Sequence, residues 1–114
     1  MNLQEFLDAT KHQLPRMHVV CNDGFMVSIQ ASRHHYCYPR KDRAAKYSSL
    51  EVGFLEPFDS KFLLELDYSE GVGSVERDVY GFVPVHIIET MLNRHGGINA
   101  NLVTSQLMAE ELTS

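Results

Sequence analysis

The sequence predicts an α+β fold: a small antiparallel β-sheet of about four strands, with an N-terminal helix and C-terminal helices packed on one side. Three observations predict it. An Asp-Gly pair precedes a strictly alternating apolar segment, which is a short-range hairpin signal. Apolar residues recur at helical spacing near both ends of the chain, in residues 3–13 and 84–95. Hydrophobic residues make up 44% of the 114 positions, enough for one core, and neither repeats nor an interdomain linker divide the chain. A single domain over 1–114 follows, with 98–114 as a helical tail.

Each element has its own signal. Asn2 and Glu5 have the spacing of a capping box, and Leu3, Phe6, Leu7, Thr10 and Leu14 then mark a helix over 3–13 that Pro15 ends. Met17 to Cys21 is a β-prone run, and Asn22-Asp23-Gly24 turns it into Phe25, Val27, Ile29 and Ala31 on one face, with Met26, Ser28 and Gln30 on the other. Leu50, Val52 and Phe54 alternate as a third strand, broken at Glu56-Pro57. Residues 59–68 fit either a strand or a short helix capped by Asp59 and carrying Phe62, Leu63 and Leu66, with the helix slightly favoured. Gly71 and Gly73 mark a turn into a strand over 74–82. The segment 84–97 reads as a helix with Pro84 in its first turn. Its buried stripe is Ile87, Ile88, Met91, Leu92 and His95, and Gly96 supplies a left-handed stop. Residues 101–112 add a last helix whose Leu102, Val103, Leu107, Met108 and Leu112 offer an apolar contact for a twofold homodimer.

Charge singles out one region. The chain carries a net −5, yet residues 33–47 hold five cations against one acid, whereas 48–114 hold three against eleven. A domain that binds nucleic acid over its whole surface is normally basic throughout, and this chain has only a local basic island. Within the island, Arg33, His34, His35, Tyr36, Tyr38, Arg40, Lys41, Arg43, Lys46 and Tyr47 form a candidate binding set. Arginine forks match phosphate or carboxylate, and tyrosines supply flat faces for bases or peptide side chains. The plain alternative is a solvated loop whose Tyr36 and Tyr38 face the core.

Other chemistry is poorly served. Cys21, His34, His35 and Cys37, with His18 nearby, include zinc-ligand types, but Cys37 is only two residues from His35, too close for a usual knuckle. Cys37 beside two histidines lacks the local signature of a thiol nucleophile. There is no phosphate-binding P-loop and no Gly-x-Ser-x-Gly turn. Neither an enzyme, a cofactor nor a metal is expected, and both cysteines read as reduced cytosolic thiols. The N-terminal stretch, with Glu5, Asp8 and Lys11 in its apolar pattern, is unlike a signal peptide, and no apolar run reaches the length of a membrane span.

The pair of segments CNDGFMVSIQASRHHYCYPR and VYGFVPVHIIETMLNRHGG resembles small phage- and prophage-encoded accessory proteins. The resemblance covers most of residues 1–97. It implies a protein of the bacterial cytoplasm that binds and disables a host defence protein or its nucleic-acid or nucleotide ligand, in its most specific form as an anti-CRISPR. The other readings are a small-ligand or nucleotide binder, acting as a sponge for a defence signal, and a structural or regulatory phage protein.

Overall fold

The capping box at the N-terminus forms as its spacing requires. The Asn2 side chain accepts from the Glu5 N–H at 2.8 Å, and Glu5 accepts from the Asn2 N–H at 3.0 Å. The computed structural model describes residues 1–66, 73–76 and 79–113, the side chains of 73–76 and 113 excepted. Helix α1 spans Leu3–Ala9 and stops short of residue 13. Thr10 ends it: its hydroxyl donates to the Phe6 carbonyl and accepts from Arg16 Nε, which binds the following chain across the helix end.

Strands β1 (Val19–Val20) and β2 (Met26–Gln30) form the expected hairpin, with Val19 opposite Val27. Gly24 sits at φ +95°, a conformation that glycine adopts without a Cβ clash. Strands β3 (Ser49–Glu56), β4 (Gly73–Glu76) and β5 (Val79–Pro84) complete a five-stranded antiparallel sheet in the order β1-β2-β3-β5-β4. The single strand expected over 74–82 is thus two paired strands, and residues 67–72 and 77–78, including the expected turn at Gly71, lie outside the described residues. Helix α2 (Ser60–Leu66) starts where Asp59 Oδ1 accepts from the Lys61 and Phe62 N–H groups. Helix α3 is Val85–Arg94, and α4 is Ala100–Thr113.

One hydrophobic cluster joins Leu3, Phe6 and Leu7 of α1, Phe62 and Leu66 of α2, and Ile87, Ile88, Met91 and Leu92 of α3 to one face of the sheet. That face presents Val27, Ile29, Leu50, Val52 and Val83, all fully buried. After α3 the chain turns at Gly96 and Gly97, with φ of +84° and +82°. Asn99 donates its N–H to the Val20 carbonyl, anchoring α4 beside β1. Of the apolar residues expected to line α4, Val103 and Leu107 pack on the core, while Leu102, Met108 and Leu112 stay exposed.

The second face of the sheet departs from simple alternation. Between Gly53 and Glu56, β3 carries one residue more than β2, and between Val79 and Val83, β5 carries one more than β3. Phe54 (φ +55°) and Phe82 (φ +56°) occupy these bulges in the left-handed region. Phe54 therefore does not continue the Leu50–Val52 face but is 57% exposed. No helix among the described residues is long and apolar enough to cross a membrane.

Candidate aromatic and arginine-rich interface

The loop between β2 and β3 is held from inside by a tyrosine. Tyr47, only 6% exposed, donates its hydroxyl to the Lys41 carbonyl at 2.6 Å and accepts from the Ala44 N–H at 3.1 Å. Cys37 is buried too, its thiol donating to the Ser32 carbonyl at 3.3 Å. These two inward side chains fold the loop back on itself. The residues on either side of Cys37 point outward.

Tyr36 and Tyr38 are those neighbours, and neither faces the core; Tyr38 is 66% exposed. Tyr38 pairs with Ser49 as a one-residue extension of the sheet, and the Tyr36 carbonyl accepts from the Phe82 N–H at 2.9 Å. The Tyr36 and Phe82 rings meet edge to face with centroids 5.9 Å apart, and the Arg40 guanidinium lies 4.8 Å from the Tyr36 ring centroid. Beneath them, Glu51 on β3 accepts from the Tyr36 N–H at 3.3 Å and stands 4.0 Å from His35 Nε2. His35 is further fixed by a 2.7 Å contact between Nδ1 and the Ser32 hydroxyl. Burial holds its pKa below the ordinary histidine value, against the pull of Glu51. Glu51 thus positions the cluster, while Tyr36, Phe82 and Arg40 form its solvent side.

The ten island residues do not all converge. His35, Tyr36, Tyr38 and Arg40 gather beside β3 and β5, while Tyr47 is a buried internal post. Arg33 pairs with Asp42 at 3.5 Å and contacts the His34 ring. Arg43 borders a separate small cleft against the α1–β1 connection, and Lys46 faces the side of α1 and Glu89. Lys41 is exposed, with its carbonyl used by Tyr47.

Phe82 and Phe54 are the surface residues that alternation hides. A signal for both stands in the chain: each follows a glycine inside a strand, Gly53-Phe54 and Gly81-Phe82, and an isolated strand glycine marks a bulge. Phe54 stacks near His18 with centroids 6.4 Å apart, and with Phe58 it borders a groove of about 250 Å³.

A second polar constellation joins three elements. His95, stacked on Phe25 at 3.9 Å, contacts Asp23 through Nδ1 and Asp59 through Nε2, both at 2.7 Å. Both ring nitrogens must carry hydrogen for both carboxylates to accept. Arg94 donates to Asp59 Oδ2 at 3.0 Å and to Glu65 Oε1 at 2.7 Å. Both aspartates sit below the usual carboxylate pKa. For Asp23 the leading cause is the Phe25 N–H; for Asp59, hydrogen bonds from His95 and Arg94 outweigh the opposing effect of burial. The carboxylates take opposite edges of the imidazole. This is a cross-link among the hairpin turn, α2 and α3.

Both thiols are buried. Burial raises the pKa of Cys37, and burial aided by Asp23 pushes Cys21 up to about 11, so neither is a thiolate at neutral pH. Both cysteines are free. Among the described residues no group of three or more His, Cys, Asp and Glu is arranged to hold a metal ion. Compared with protein-family models, with curated proteins and with solved structures, the chain matches none.

Proposed function

We propose that the protein is a non-enzymatic, phage-type accessory protein that acts by stoichiometric binding in the bacterial cytoplasm. Its target in this reading is a protein of the host immune machinery, and an anti-CRISPR-like role is the most specific form. The observation that carries the binding is the exposed Arg40–Tyr36–Phe82 cluster beside Tyr38. Tyrosine and arginine are the residue types that dominate binding energy at protein interfaces, and a cluster already ordered by Glu51 loses little freedom on docking. The net charge of −5 favours a protein target over nucleic acid, since most of the surface would repel a phosphate backbone. An acidic or carboxylate-bearing patch is the chemistry that complements Arg40 and its exposed neighbour Lys41. The immune target itself rests on the resemblance to phage accessory proteins.

The test is a phage-plating assay in bacteria carrying defined immune systems. Wild-type protein is expected to restore plating on one of them. The Tyr36→Ala/Arg40→Ala double variant is expected to lose that effect while remaining folded by circular dichroism. Failure of the wild type on every system would remove the immune target, and equal rescue by the double variant would remove this face.

A further inference from the structure

A second feature of the loop is carried by a different part of the molecule. Arg16 is 4% exposed, although arginine is almost never buried unless paired. Its guanidinium donates from Nε to the Thr10 hydroxyl at 3.1 Å, from Nη1 to the Ala31 carbonyl, and from Nη2 to the Leu7 carbonyl at 3.5 Å. Those bonds orient the group but bring no negative charge. Among the described residues no carboxylate lies within ion-pair distance of it. Burial depresses its pKa, yet an arginine in a protein stays protonated, so the charge persists. A buried cation without a counterion is costly, and a bound anion would offset that cost.

Arg16 also lines an open cleft of about 70 Å³. One wall is the α1–β1 connection, with Lys11 and His12; the other is the loop, with Arg43 and Asp42. Space of that size holds several waters, and hence one small oxyanion. Asp42, the one acid on its lining, is already engaged, accepting from the Arg33 N–H at 3.0 Å and pairing with Arg33 Nε. Arg43 stands at φ +50°, a left-handed conformation that a side chain other than glycine rarely adopts and that concentrates at ligand sites. Three cations, one of them buried and prearranged, therefore border a single small volume.

We propose that this cleft is an oxyanion site that takes a phosphate group, with Arg16 at its floor and Lys11 and Arg43 at its rim. Phosphate suits it better than a carboxylate. Three cationic groups from two chain segments meet a tetrahedral dianion from several directions, whereas a carboxylate presents two oxygens in one plane and a single charge. A nucleotide or free phosphate supplies the same group. The site is independent of the proposed partner face: Tyr36, Tyr38, Arg40 and Phe82 do not line it.

The experiment titrates the purified full chain with inorganic phosphate, with adenosine monophosphate and with acetate at constant ionic strength. Phosphorus NMR line width and the melting temperature are read for the two phosphates, and the melting temperature for acetate. The phosphorus line of either phosphate compound is expected to broaden and the melting temperature to rise, while acetate leaves the melting temperature unchanged. A stronger response to the nucleotide identifies it as the source, and a stronger response to inorganic phosphate identifies the free ion. The Lys11→Ala/Arg43→Ala variant changes only exposed side chains, so it should fold, and it is expected to bind at least about tenfold more weakly. Lys61→Ala, an exposed cation outside the cleft, is expected to bind as wild type does. Arg16→Gln is expected to abolish the response if it folds. Absence of binding, an equal response to acetate, or undiminished binding by the double variant would overturn the site.

Discussion

Two charged regions of this molecule are built in opposite ways. At the corner where the hairpin turn meets α2 and α3, Asp23, Asp59 and Glu65 are each matched to Arg94 or His95 at 2.7–3.0 Å. Around the loop between β2 and β3, Arg40, Lys41, Arg43 and Lys46 have no ion pair among the described residues. Acids are plentiful elsewhere in the chain, so the difference is not one of supply. Charges that hold elements together are paired and shielded. Charges held out on a folded loop beside exposed aromatics contribute little to stability.

Substitutions should separate the two regions sharply. Asp59→Ala removes the cap of α2 and leaves Arg94 and His95 without their shared acceptor. It is expected to cost about 2–4 kcal/mol in urea unfolding. The matching change in the loop, Tyr36→Ala with Arg40→Ala, alters exposed side chains and is expected to cost no more than about 1 kcal/mol. A loop variant as damaging as Asp59→Ala would erase the distinction.

The bulge phenylalanines sharpen it further. Phe54 combines high exposure with a left-handed backbone, so Phe54→Gly relieves strain and loses little burial. It is expected to be neutral or stabilising by up to about 1 kcal/mol. A clear loss of stability would mean that the exposed ring has a structural role after all.

Acid should act on the two regions in sequence. The depressed pKa of His35 means that the fold disfavours its protonation, so its contribution is complete above the unfolded value of 6.5 and fades as pH falls below it. Asp23 and Asp59, also depressed, contribute fully above 3.8 and lose their contribution as pH falls through their folded values. Stability followed against pH is expected to fall in those two windows, and Asp59→Asn should remove part of the lower one. The smallest effect concerns association. With Val103 and Leu107 turned inward, Met108 and Leu112, one helical turn apart, remain exposed on α4 together with Leu102. Light scattering should give a mass near 13.0 kDa at low concentration, rising when the protein is concentrated. A mass that never rises would contradict twofold pairing.

Much of this arrangement was legible in the chain. The hairpin followed from Asp23-Gly24 and the last core helix from Ile87, Ile88, Met91 and Leu92, because each signal is local; α2 was only half legible, since Phe62, Leu64 and Leu66 also alternate as a strand would. The candidate face was half legible. Composition marked Tyr36, Tyr38 and Arg40, but a charge count cannot say which members of a loop converge. Tyr47 looked like its neighbours and proved to be their internal support. Phe54 and Phe82 escaped because alternation assumes regular pairing, which one extra residue in a strand reverses. Arg16 and the His95 bridge were out of reach for another reason: their partners lie on other elements, from Ala31 to Asp59, and only the fold brings them together.

The central claim is that the Arg40–Tyr36–Phe82 cluster is the surface that engages a partner. The direct measurement is a quantitative pull-down from one bacterial lysate, comparing wild type with a Tyr36→Ala/Arg40→Ala/Phe82→Ser variant. Mass spectrometry reads recovery, and calorimetry with the purified partner reads stoichiometry. The expected result is one protein recovered in a one-to-one complex with wild type and reduced at least about tenfold with the variant, which remains folded. Equal recovery by the two proteins would contradict it.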